Sequence, residues 1–168
     1  MKTLGKLLLV PLLAALCAGI VLGLGLIDFS ASTPPGAIEE RVATFALNRS
    51  IARHSPRGRN PFAGSPEDAR AGLLLFRSEC VTCHGAPGAD PSAAGASLNP
   101  PAPGLTLPRV QARRDGELYW IVSRGIRMTG MPAFGPSRGD REIWQLVAAL
   151  RRLPRLTETE RRALHTGR

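Results

Sequence analysis

The sequence predicts an all-α fold with long loops, and three observations support this prediction. Several segments repeat apolar residues at positions i, i+3, i+4 and i+7, which is the pattern of one helix face. No segment alternates apolar and polar residues as a half-buried strand does. The chain has 18 glycines and 15 prolines among 168 residues, so loops occupy much of it. Two Trp, one Tyr and five Phe are few for the core of a small domain, which suggests that another group fills it.

The first 27 residues are predicted to anchor the chain in a membrane. Residues 7–27 form an uncharged apolar run that, as a helix, is about 31 Å long and matches the hydrocarbon core of a bilayer. Lys2 and Lys6 precede this run, which places the amino terminus in the cytoplasm and the rest of the chain across the membrane. A cleaved signal peptide is the alternative, with Ser30-Ala31-Ser32 as a small-residue cleavage site.

Residues 28–65 are predicted to be a linker that contains a short amphipathic helix. The helix is indicated by apolar residues that recur at helical spacing beside charged ones: Ile38, Val42, Phe45 and Ala46. Residues 53–61 are predicted to be irregular. The sequence leaves open whether this helix docks on the membrane, docks on a partner subunit or belongs to a solvated spacer.

Residues 66–168 are predicted to form the domain that carries the chemistry, and this domain begins with a helix. Ser65 is a favoured amino-terminal cap, and Pro66 suits the first helical position. One face of the helix is formed by Ala69, Gly72, Leu73 and Phe76. Residues 85–109 are so rich in proline and glycine that they are predicted to hold no regular element.

Two further helices are predicted in this domain. The first runs from about Asp115 to Arg124 and ends at Gly125, a residue that suits the turn after a helix. Its inward residues are Leu118, Ile121 and Val122. The second runs from about Asp140 to Leu153 and stops before a proline. The residues it is expected to bury are Ile143, Trp144, Val147 and Leu150.

The motif Cys80-Val81-Thr82-Cys83-His84 carries the chemistry. Two thiols three residues apart, followed directly by an imidazole, suit the attachment of one c-type haem, with thioethers at Cys80 and Cys83 and the iron on His84. A thioredoxin-like redox pair would follow a strand, whereas a helix is predicted before this motif. A zinc site needs four ligands, and a disulfide within the motif would close only a very small loop. The residues therefore favour haem.

The second axial ligand of the iron has to come from elsewhere in the chain. Met131 is the predicted ligand, because Pro132 restricts its backbone and stiffens the loop that presents the sulfur. Met128 is the runner-up, and His54 and His165 are the other candidates. With an imidazole and a thioether both bound, the iron would keep no open position for a substrate.

The chain is basic, with a net charge of +9, and 20 of its 22 basic residues are arginine. Nucleic-acid binding is not expected, because no run of five basic residues occurs and no aromatic-rich strand alternates with arginine. Five arginines are predicted to surround the haem edge, where they would steer an acidic redox partner or simply aid solubility. They are Arg109, Arg113, Arg114, Arg124 and Arg127.

The sequence resembles class I cytochromes c, in particular small membrane-anchored bacterial members with a single haem, over about residues 66–155. The matching stretches are Gly72-x-x-x-Phe76, Cys80 to His84, Glu117 to Ile121, Gly125-Ile126, Met131 to Phe134 and Ile143 to Val147. The resemblance implies a cytochrome c-like haem domain in which Gly72 and Phe76 pack on Leu146, Val147 and Leu150. Ala149 departs from the aromatic residue that many members have there. The resemblance also implies that a loop proline, Pro100, Pro101 or Pro103, accepts a hydrogen bond from the His84 imidazole.

These features predict periplasmic electron transfer through one covalent haem c with His84 and Met131 as ligands, and no catalytic residues. Redox proteins are the expected partners, and the membrane is the expected location, through the amino-terminal helix. The alternative is a dedicated haem subunit of a membrane oxidoreductase complex. A gas- or peroxide-reactive haem with a labile Met131 is a third hypothesis, which carbon monoxide binding to the reduced protein would reveal.

Overall fold

The computed structural model describes residues 2–165, with side chains from residue 9 onward except those of residues 163 and 165. Every regular element in this range is a helix and no strand occurs in it, which confirms the predicted all-α class. The chain divides into two compact units, one up to Thr33 and one from Pro34 onward.

The first unit consists of helix α1 (Lys2–Gly23) and a short irregular tail. Large apolar side chains along α1 are exposed, among them Val10, Leu12 and Leu22. Among the described residues, no helix combines the length and the hydropathy that crossing a bilayer requires. The transmembrane prediction for residues 7–27 is therefore not confirmed by the structure.

The second unit contains eight α-helices within the described residues and one 3-10 turn that extends α8. Three of the helices are single turns. In chain order the elements are α2 (Ala37–His54), α3 (Pro66–Glu79), α4 (Val81–His84), α5 (Ala93–Ala96), α6 (Pro108–Gln111), α7 (Asp115–Arg124), α8 (Asp140–Arg152) with its 3-10 turn (Leu153–Arg155), and α9 (Glu158–His165).

Helices α3 and α8 pack against each other at the centre of this unit, and Gly72 is the point of closest approach. A Cβ atom on Gly72 would lie 1.9 Å from the carbonyl oxygen of Gln145 and 3.0 Å from the Cβ of Ala149. Backbone this close to backbone tolerates only glycine at position 72. Ala149 is fully buried beside it.

The start of α3 is fastened to α8 through its cap. Ser65 accepts a hydrogen bond from the Asp68 backbone N–H at 3.1 Å, as the sequence predicts for a capping residue. The buried Asp68 carboxylate in turn accepts hydrogen bonds from Gln145 at 2.7 Å and Arg141 at 2.9 Å. These donors, Gln145 above all, hold the pKa of Asp68 below its usual range.

The apolar core joins α3, α7 and α8. Its buried members are Phe76, Val122, Ile143, Leu146, Leu150, Leu153, Leu156 and Leu164. Trp144 is only half-buried and stacks on Tyr119 with ring centroids 4.4 Å apart, so its predicted burial is corrected to a partial one. Leu156 and Leu164 follow the last predicted helix, so the segment after α8 completes the core.

Three regions differ from the sequence predictions. Helix α2 runs to His54 and is longer than the short helix predicted at residues 38–47. Residues 85–109 do hold regular turns, because Ser92 caps α5 by accepting from the Gly95 N–H at 3.0 Å, and Pro108 opens α6. Helix α9 was not predicted.

Candidate haem site

The motif residues Cys80, Cys83 and His84 lie at the junction of α3 with α4. The Cys80 N–H still donates to the Phe76 carbonyl at 2.9 Å, so it closes α3, and the His84 N–H donates to the Cys80 carbonyl at 2.9 Å. Helical backbone through the motif places positions i, i+3 and i+4 on one face. The two thiols and the imidazole are therefore presented together.

The His84 ring is oriented by one loop carbonyl. Its Nδ1–H donates to the Pro103 carbonyl oxygen at 2.8 Å, so Pro103 is the proline that the sequence left undecided among three. With the proton on Nδ1, the Nε2 lone pair is free to bind a metal. Burial lowers the pKa of His84, against an opposing effect of the Pro103 hydrogen bond. The imidazole is thus held in the neutral form that ligates iron.

A cavity of about 310 Å³ adjoins this face, and most of its lining is apolar. Four residues predicted to bind haem, Cys80, Cys83, His84 and Met131, all line it. The cavity lies in the size range of cofactor and ligand sites, and an apolar lining with a few polar groups is typical of such sites. The structure therefore brings the predicted site residues together around one space.

Met131 is held by a short loop that follows α7. Its N–H donates to the Thr129 hydroxyl at 3.1 Å, and the same hydroxyl donates to the Ile126 carbonyl at 2.8 Å. The Met131 carbonyl accepts from the Ile126 N–H at 3.2 Å. Gly125 has φ +65°, as the predicted end of α7, and a Cβ on it would lie 2.7 Å from the Met131 carbonyl oxygen. The backbone at Met131 is thus fixed on both sides.

The other candidate ligands are placed elsewhere. Met128 is 84% exposed and is not among the residues that line the cavity. His54 does not line it either; its ring is 6.4 Å from that of Trp120, and its Nδ1 lies 2.9 Å from the Ser50 carbonyl. The side chain of His165 is outside the described residues. Among the candidates that can be compared, Met131 alone reaches the cavity.

The two motif thiols are not bonded to each other, and their environment does not suit thiol chemistry. Burial, with smaller contributions from Glu79 and Cys83, raises the pKa of the Cys80 thiol to about 12. A redox-active dithiol needs a lowered pKa, because the thiolate is the nucleophile. Among the described residues, no three His, Cys, Asp or Glu side chains gather as a metal site. Two unbonded cysteines beside an imidazole and an apolar cavity fit a covalently attached haem.

Of the five arginines that the sequence predicts around the haem edge, two line the cavity, and the contribution of α2 to the cavity was not predicted. Arg109 and Arg113 line the cavity, whereas Arg114, Arg124 and Arg127 do not. Leu47 and Ile51 of α2, which lies in the predicted linker, also line it. The spacing of these two residues, i and i+4, is a helical signal that could have revealed them.

About half of the chain matches a known protein family. Residues 67–148 match the family model described as cytochrome C oxidase, cbb3-type, subunit III. No curated protein matches the chain. The matched span contains the Cys80–His84 motif and Met131, and it leaves α2 and α9 outside.

Proposed function

We propose that the chain is a small c-type cytochrome in which Cys80 and Cys83 would hold the haem covalently and His84 and Met131 would bind its iron. The match of residues 67–148 to the family model supports a covalently bound haem. The domain serves haem-based electron transfer and is a carrier more than a catalytic enzyme. The observation that supports the ligand assignment is that all four side chains line one cavity, with Nδ1 of His84 engaged by Pro103.

The bound haem supplies a one-electron couple between ferric and ferrous iron. The residues around the haem would set its reduction potential and its access to solvent. The Met131 thioether is a soft ligand that favours the ferrous state and raises the reduction potential. The apolar lining would exclude water from the haem and disfavour the additional charge of the ferric state. His84, fixed by Pro103, keeps its orientation in both states, so little has to move when an electron is transferred.

Replacing Met131 tests this assignment. In Met131→Ala we expect the weak near-infrared sulfur-to-iron absorption of the ferric protein to disappear and the potential to fall by on the order of 0.1 V, within the range of about 0.8 V over which axial ligands act. Reduced Met131→Ala should also bind carbon monoxide, which the wild-type protein should resist. Met128→Ala is the matched control, since its side chain is exposed, and it should keep all three properties. Loss of the absorption in Met128→Ala with retention in Met131→Ala would reverse the assignment.

In the same proposal the haem domain faces the periplasm and is tethered to the cytoplasmic membrane by residues 7–27. Two features support this: the uncharged apolar run behind Lys2 and Lys6 in the sequence, and the attachment of c-type haem outside the cytoplasm. The haem-containing protein should then remain with membranes after alkaline carbonate washing and keep its original amino terminus. Release into the wash with an amino terminus near Ser32 would instead establish the cleaved signal peptide.

A second candidate is a haem subunit of a membrane oxidoreductase complex. The specific observation that favours it is the matching family model, which is described as a subunit of an oxidase. Mild detergent extraction followed by pull-down of the full chain distinguishes the two. Stoichiometric recovery of a catalytic subunit would support the subunit role, and recovery of the haem protein alone would support the independent carrier.

A further inference from the structure

Helix α2 lies before the span that matches the cytochrome family, yet it contributes to the haem cavity. Leu47 and Ile51, one turn apart on α2, both line the cavity. Ile51 has no exposed surface at all. A helix that merely connected the domain to its anchor would have no reason to bury an isoleucine there.

The carboxy-terminal half of α2 is fastened to the wall of the cavity by polar contacts. Asn48 accepts a hydrogen bond from the guanidinium of Arg113 at 2.9 Å, and Arg113 itself lines the cavity. The ring of His54 stacks near that of Trp120 on α7. These contacts join α2 to the segment between α6 and α7 and to α7 itself.

The chain that leaves α2 is fixed as well. A Cβ on Gly116 would lie 2.1 Å from the Pro56 carbonyl oxygen, so the backbone after α2 packs directly on the first turn of α7. The buried Asn60 donates through its side chain to the Trp144 carbonyl at 2.8 Å and through its N–H to Asp115 at 3.1 Å. Residues 56–60 therefore hold the end of α2 in place.

The opposite face of α2 shows that burial on the cavity side is selective. Ile38, Val42 and Phe45 are 78%, 62% and 69% exposed. Leu47 follows Ile38 by nine residues, about two and a half helical turns, so the two side chains point in opposite directions. The helix thus has apolar residues on two faces, and only the pair at 47 and 51 is packed against the cytochrome domain.

We infer that α2 is a wall of the haem site, in which Leu47 and Ile51 contact the haem and keep water from one side of it. This inference rests on the proposed haem attachment at Cys80 and Cys83. Without the two side chains, water would reach the haem and stabilise the more highly charged ferric state. The segment that precedes the family domain therefore helps to set the reduction potential.

The test compares two pairs of variants in the full-length holoprotein. Leu47→Ala and Ile51→Ala remove apolar atoms from the cavity face, and Val42→Ala and Phe45→Ala remove them from the exposed face of the same helix. We expect each cavity-face variant to shift the ferric–ferrous equilibrium at least threefold toward ferric, which is about 28 mV for a one-electron couple. Solvent perturbation of the haem absorption should increase in the same variants. Both exposed-face variants should match the wild type.

Equal potentials and equal solvent perturbation in all four variants and the wild type would overturn the inference, as would equal shifts on both faces. If Ile51→Ala fails to fold, the half-buried Leu47→Ala decides the question alone. The near-infrared absorption of the proposed bond between the Met131 sulfur and the iron is recorded in every sample. Its absence already in the wild type would refute the proposed ligation, whereas its presence together with an unchanged potential in Leu47→Ala would refute only the role of α2.

Discussion

The two sides of the haem cavity are supported in different ways. On the His84 side, distant segments hold the motif: Pro103 accepts from the imidazole, and a Cβ on Gly95 would lie 1.8 Å from the Cys83 carbonyl oxygen. On the Met131 side, the hydrogen bonds that shape the ligand loop run among residues 126–131 themselves. The first arrangement depends on tertiary packing, and the second is mostly local.

This difference indicates which of the two proposed iron ligands is easier to displace. Moving His84 would require α5 and the Pro103 loop to separate from the motif, because the Gly95 carbonyl also accepts from the Ala102 N–H at 2.9 Å. Moving Met131 requires only that one short loop change its internal bonds. Of the two proposed ligands, we therefore expect Met131 to be the one that a mutation displaces more easily, although both stay bound in the wild-type protein.

The largest expected effect comes from filling the space at Gly95. Gly95→Ala places a methyl group against the backbone of Cys83, which cannot move without displacing the motif. We expect a loss of at least about 3 kcal/mol in the free energy of unfolding of the holoprotein. The matched change on the other side is Gly130→Ala, whose methyl group would have as its three nearest atoms those of the flexible Leu98 side chain, from 2.6 Å, and no backbone atom. That variant should lose about 1 kcal/mol or less in denaturant unfolding, and equal losses would contradict the comparison.

The features that could be predicted from the sequence are those that depend on residues close together in the chain. The Ser65 cap, the Gly125 terminus of α7 and the Cys80–His84 motif each depend on neighbouring residues. The choice of Pro103 depends on how the chain folds back on His84 from a position 19 residues later in the sequence, and no local pattern separates Pro103 from Pro100. The wall formed by Leu47 and Ile51 depends on a long-range contact. Helical periodicity can show that the two residues share one face, but it cannot show which cavity that face lines.

A second variant is expected to weaken the Met131 side alone. Thr129→Val keeps the shape of the side chain but removes the hydroxyl that accepts from the Met131 N–H and donates to Ile126. We expect a loss of about 1–2 kcal/mol in stability and faster carbon monoxide binding to the reduced protein, because Met131 is less firmly held. Thr129→Ser retains the hydroxyl and should restore slow binding. If both variants bind carbon monoxide like the wild type, the loop bonds do not control the ligand.

An ion pair links the two sides, and its removal is expected to have a smaller effect. Arg138, beyond the Met131 loop, contacts Glu79, which lines the cavity next to Cys80, and lies 3.3 Å from Glu142. The hydrogen bond with Glu79 is the main reason that the pKa of Arg138 is raised. Glu79→Gln should lower the free energy of unfolding slightly at low ionic strength, by less than Thr129→Val does, and less still in 1 M salt. Glu142→Gln removes the partner of Arg138 that lies only four residues away in the sequence, so its loss of stability should be smaller. An equal loss in the two variants would show that the pair with Glu79 stabilises the protein no more than this local pair.

The smallest expected effect is an increase in stability on replacing Met128. Among the described residues, Met128 is the one non-glycine residue with positive φ, at 59°, and a side chain in that region costs about 1–2 kcal/mol. Asparagine tolerates the left-handed conformation better, so Met128→Asn should raise stability by about 0.5–1 kcal/mol in denaturant unfolding. Arg127→Asn makes the same change at a neighbour without positive φ and should give no gain. Because Met128 is proposed to be no ligand, Met128→Asn should also keep the potential and the near-infrared absorption. A more stable Met128→Asn protein that had lost that absorption would instead indicate that Met128 supplies the sulfur ligand, against the assignment of Met131.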